Sequence, residues 1–183
     1  MVLPFGICPF AAPALASGAV ARRVLDGLDE APAAIAEYGA DHAIEVALLI
    51  FPSLTLGAAE FDRACAPLRT SHPAFVAAVF HPETPYDAAT PAQAVGFFRR
   101  SPDPTLQLVR ADVLDRVRGD GGKFLFDFSA AAWAELHKRE QRLPPSERIA
   151  RDNHRLLGER LAALQAIYDD IAADRERSYR RGG

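Results

Sequence analysis

The chain has 183 residues, which suits one domain able to bury about 70% of the surface its unfolded form exposes. It is 49% hydrophobic with a formal charge of −3, which argues against a basic field for recruiting nucleic acid. Two cysteines, Cys8 and Cys65, cannot make a disulfide framework, and they point to a reducing, cytoplasmic setting. No run reaches the roughly 18 apolar residues of a membrane span. There is no Lys or Arg before Arg22, and Pro4, Pro9 and Pro13 interrupt any apolar helix, which argues against an export signal.

Residues 1–20 read as a Pro-punctuated ordered loop, and Val20 to Leu28 is ambiguous between strand and helix. Asp29 to Tyr38 carries Ala34, Ile35 and Tyr38 at helical spacing, with Asp29 as N-cap. Ile44 to Phe51 is a strand closed by Pro52. Gly57 to Thr70 reads as one helix with Phe61, Cys65 and Leu68 on a stripe. Phe75 to Phe80 is the next strand, and Thr90 to Arg99 is a short helix capped by Thr90 with Pro91 in first position. Thr105 to Val109 is a strand and Ala111 to Arg118 a short helix.

Gly119 to Gly122 breaks the chain. A short edge strand at Phe124 to Phe128 and a helix from Ser129 to Gln141 follow. Ser146 to Arg177 is one long helix whose stripe is Ile149, Asn153, Leu156, Leu157, Leu161, Leu164, Tyr168 and Ile171. The chain thus divides into a sheet-containing core (1–118), an insertion (119–145) and a C-terminal helix (146–177) within a single domain. Strands that alternate with helices, and then helices alone, predict an α+β fold. The expected form is a ferredoxin-like or related α/β sandwich with a mostly apolar central sheet. The clearest strands are apolar on both faces, so the second face needs a cover. The C-terminal helices are the expected cover; a homodimer partner or a cofactor are the alternatives.

The candidate site gathers polar residues at strand ends and Pro turns. His81 ends its strand on the side of Phe75, Ala77 and Val79, where an imidazole can ligate a metal or act as a base. The competing reading is a hydrogen-bonded histidine with a structural role. Cys8, in Gly6-Ile7-Cys8-Pro9-Phe10, offers a thiolate; with His81 it would make a soft pair for a transition metal or haem, or a nucleophile and its base. Cys65 falls on an apolar stripe and reads as core. Arg100 suits an anionic substrate group, with Ser101, Gln107 and Arg110 as further lining. Asn153 interrupts the apolar stripe of the long helix and needs a partner, either the turn backbone at 101–104 or a ligand. The tail arginines, Arg175 among them, read as a solvated helix end.

Four stretches occur in a telling order: Cys8-Pro9-Phe10-Ala11, Phe80-His81-Pro82, Arg100-Ser101-Pro102-Asp103-Pro104-Thr105-Leu106-Gln107-Leu108, and Asn153 through Gly158. In this the chain resembles the bacterial family catalogued as domain of unknown function 1415, over roughly residues 5–118 and 146–160. The resemblance implies Cys8, His81, Arg100 and Asn153 as the matched polar set. Where that family has Asn, an aromatic, His and Arg-Asn, this chain has Arg99, Asp103, Gln107 and Asp152-Asn153. Of the family's two histidines only His81 is present. The resemblance supplies positions and no reaction.

Two functions are expected from these residues. One is a cytoplasmic enzyme, an oxidoreductase if metal or haem is bound, acting on a small molecule or peptide. The other is a non-catalytic accessory module that docks a partner protein or peptide on an exposed apolar surface.

Overall fold

The computed structural model describes residues 11–114 and 145–181. Its four strands are β1 (Val20–Val24), β2 (Val46–Ile50), β3 (Phe75–Phe80) and β4 (Thr105–Arg110). They form one sheet in the order β1-β2-β4-β3. β1 and β2 are parallel, and β4 is antiparallel to both β2 and β3. Three strands therefore run one way, and β4 enters between β2 and β3 against them. The chain is an α+β sandwich on a mixed sheet. A helix between every pair of successive strands and the order β1-β2-β4-β3 make it the related arrangement, distinct from the βαββαβ unit of ferredoxin-like folds.

Alternation along each strand sorts the apolar residues into two cores. Ala47, Leu49, Phe51, Leu106 and Leu108 face one side. There they pack under α2 (Ala31–Ala40) and α3 (Ala58–Ala64). α2 presents Ala31, Ala34, Ile35 and Tyr38, a three-to-four spacing that fits one helical face. Val46 and Val109 face the other way and pack with Ala14 of α1 (Ala11–Ala16) and with Leu114. Doubly apolar strands thus have a core on each face, as their composition requires.

The loop expected before β1 contains a helix, α1. Pro13 lies in its first turn, where the missing N–H has no intrahelical acceptor. The single helix expected at 57–70 is two pieces, α3 and α4 (Ala66–Arg69), joined at Cys65. Pro67 causes the break, since its ring excludes the carbonyl four residues back. Thr90 caps α5 (Pro91–Phe98), its side chain accepting from the Gln93 N–H. Gly96 lets α5 lie against the preceding loop, because a Cβ there would collide with the Pro85 carbonyl oxygen.

α6 (Pro145–Arg181) packs against the sheet body along α5 and at the turn that leads into β4. Leu157 and Leu164 bury against Ala94 and Phe97 of α5. The buried side of α6 is narrower than the expected stripe: Leu161 and Ile171 are exposed. Arg160 departs from helical geometry (φ −133°, ψ 19°) and divides α6 at a kink. Among the described residues, no helix is long and apolar enough to cross a membrane. Cys8, the Phe124–Phe128 strand, the Ser129–Gln141 helix and nearly all of the insertion lie outside the described residues.

Candidate functional site

Three segments meet at the carboxyl ends of β2 and β3: residues 52–56 after β2, 81–83 after β3, and 102–104 before β4. They border an open hollow of about 240 Å³, which Arg175 of α6 also lines. In α/β sheets, ligands bind in crevices outside the carboxyl ends of strands where the strand order switches. β4, inserted in reverse between β2 and β3, separates their carboxyl ends and brings its own entry turn between them. Pro52, Pro82, Pro102 and Pro104 stiffen the rim.

His81 lies in this wall and is only 4% exposed. Its Nδ1 accepts from the Glu83 N–H at 3.1 Å, and its Nε2 lies 2.9 Å from the Leu56 carbonyl oxygen. A backbone N–H can only donate and a carbonyl can only accept. The partners therefore fix a neutral ring with its proton on Nε2. The ring stacks obliquely on Phe61, with centroids 5.9 Å apart. His81 thus ties the β2 loop to the β3 loop. As placed, it directs no lone pair toward the hollow. Among the described residues, no three His, Cys, Asp or Glu side chains converge to hold a metal.

Asp103 is the buried carboxylate of the site, 7% exposed. Its backbone carbonyl accepts from the Ser101 and Thr105 hydroxyls, which fixes the turn. Its Oδ1 accepts from Arg175 Nε at 2.9 Å and Nη2 at 2.6 Å. Arg175, expected to be a solvated helix end, is instead a wall of the crevice. It follows Tyr168 by seven residues, two helical turns, and so shares its inward face. Tyr168 reaches the same turn, donating to the Ser101 carbonyl at 3.4 Å.

The other expected site residues lie elsewhere. Arg100 stacks on Tyr168 at 3.8 Å and hydrogen-bonds Gln165, which locks α6 to the end of α5. Ser101 serves the turn backbone. Gln107 points to the sheet face opposite His81, since it alternates with Leu106 and Leu108. Arg110 is at the far end of the sheet, six register positions or about 20 Å from His81. Asn153 is buried on α6 but precedes Arg175 by 22 residues, about 33 Å along a helix. Contact with the 101–104 turn falls instead to Tyr168 and Arg175.

Two nearby groups have shifted acidities. Burial pushes the Cys65 thiol up to about 11, in keeping with a core role. Burial also lowers the Arg99 guanidinium from its usual value, with the Asp62 charge opposing. Arg99 donates to the Val79 carbonyl at 3.4 Å and lies over Phe80, so it covers the outer edge of β3.

Fold and crevice together define an α+β sandwich with a small polar hollow at its strand ends. Compared with protein-family models, curated proteins and solved structures, the chain matches none.

Proposed function

We propose that this chain is a cytoplasmic protein that binds a small polar molecule in the strand-end crevice. The convergence of three Pro-stiffened loops and the Arg175–Asp103 pair on one hollow carries the reading. The volume, about 240 Å³, suits a metabolite-sized fragment and not an extended peptide. His81 acts as a positioning residue that holds two walls together. The enzymatic form of the reading draws its reactive group from Cys8, as thiolate nucleophile or as ligand to a transition metal or haem. A likeness to domain of unknown function 1415 is part of the same proposal, since the Phe-His-Pro and Pro-turn motifs both contribute to the crevice. NMR titration of the protein against a small-metabolite library tests it. Hits should shift Thr55, His81, Glu83 and Asp103 together, and Asp103→Ala should remove the shifts. Hits that cluster anywhere else in the molecule overturn the reading. An absorption spectrum and metal analysis test the cofactor extension.

The accessory-module reading draws on Val24 and Val76, which are 62% and 50% exposed on one face of the sheet. It predicts that Val24→Asp and Val76→Asp abolish a partner interaction while leaving crevice ligands unaffected.

A further inference from the structure

We infer that the crevice is a receptor for a guanidinium or alkylammonium group, and that Arg175 fills it in cis. The inference rests on the small-molecule reading and names the ligand class. A guanidinium is already docked: two N–H groups of Arg175 reach one oxygen of Asp103. That carboxylate is held in place before any ligand arrives. Pro102 and Pro104 restrict the backbone on either side, and the Ser101 and Thr105 hydroxyls tether its carbonyl. The Asp103 side chain is 9% exposed and the Arg175 side chain 35%, so the cation is the outer, displaceable partner.

Charge points the same way. Among the described lining residues, two carboxylates, Asp103 and Glu83, face one guanidinium. That excess of carboxylates among the described lining residues favours cations over anions. Pro52, Leu54 and Pro82 supply apolar walls for an alkyl stem. A tethered group competes at an effective concentration of about millimolar. Free ligand must therefore displace Arg175, and removing its head should strengthen binding at least tenfold.

The test uses agmatine, which carries a guanidinium and an ammonium, and butyrate as a probe of opposite charge. Each is titrated by NMR into the full-length wild type, Arg175→Ala, and Arg175→Ala combined with Asp103→Asn. Agmatine is expected to bind Arg175→Ala at least tenfold tighter than wild type, shifting Thr55, Glu83 and Asp103, and to lose that gain in the double variant. Equal agmatine affinity in wild type and Arg175→Ala overturns the inference, as does a gain that survives Asp103→Asn. Should butyrate bind this hollow and agmatine not, the cation inference fails while the small-molecule reading stands. If neither probe moves crevice residues in any variant, both fail. Arg175→Gln, which keeps an uncharged side chain of moderate length on the helix, replaces Arg175→Ala if the latter loses its dispersed spectrum, and the same outcomes apply.

Discussion

At the Arg110 end of the sheet a guanidinium is 5% exposed; at the other end an imidazole is 4% exposed. Arg110 donates to the backbone carbonyls of Tyr38, Gly39, Asp41 and Ile44, where α2 ends and its last carbonyls lack intrahelical donors. Its planar fork suits that array, and the ring of Phe75 lies 5.3 Å from the guanidinium carbon. This is a helix cap assembled from a distant strand. His81 is likewise held by backbone groups, but they belong to two loops that border a hollow. Beside it, Asp103 takes its charge partner from a separate helix. A buried charge enclosed by one helix end fixes structure. A buried charge matched across two elements at an opening meets solvent through its more exposed partner.

The contrast can be broken at either end. The largest effect is expected for Arg110→Met, which strips donors from several buried carbonyls and should cost ~3 kcal/mol in urea unfolding. A loss under ~1 kcal/mol would mean that the carbonyls find water or other donors, and that the cap matters little. Cys65, at the junction of α3 and α4, is fully buried in the apolar core, unlike either of these polar enclosures. Its thiol is raised to about 11, so the folded state favours the protonated form. Above the ordinary thiol value the unfolded chain binds fewer protons, and stability falls as pH rises. Between pH ~9 and ~11 the wild type should lose ~2–3 kcal/mol more than Cys65→Ala. Parallel pH curves for the two proteins refute that.

His81→Ala should cost ~2 kcal/mol, because it leaves the Leu56 carbonyl and the Glu83 N–H without their partner. Amide exchange should quicken in residues 54–57 and 82–84 first; uniform quickening would assign His81 to the general core. The smallest effect belongs to Arg175→Ala. With Asp103 buried and Arg175 about a third exposed, the pair should contribute about 1.5 kcal/mol, which is what a tenfold gain in ligand affinity requires, and salt should weaken it. A loss above ~2 kcal/mol would make Arg175 a structural element and weaken the case for exchange.

Local features of this fold were legible in the sequence. Apolar runs bounded by Pro marked β2 to β4, and Thr90 before Pro91 marked the start of α5. Periodicity found α6 but overestimated its buried stripe, since Leu161 satisfies the spacing while facing solvent. Strand order is set by pairings between distant segments, so no local pattern announced β4 between β2 and β3. The site was half legible. Phe80-His81-Pro82 and the Pro turn do meet, but Arg110 read as crevice lining because the ends of β4 look alike without knowing its direction. Arg175 was overlooked among tail charges. Two signals pointed to it: Asp103 stands between two prolines at the entry to an apolar strand and needs a cation, and Arg175 repeats the position of Tyr168 two turns on.

The bend at Arg160 gives α6 a lever arm. Arg175 lies 15 residues beyond it, about 22 Å at the helical rise. A change of only ~10° at the bend would sweep that guanidinium through ~4 Å, farther than a hydrogen bond can stretch. Beyond the bend, Leu164 against α5, Gln165 on Arg100 and Tyr168 on the Ser101 carbonyl brace that arm, and so keep the guanidinium within reach of the strand-tip carboxylate.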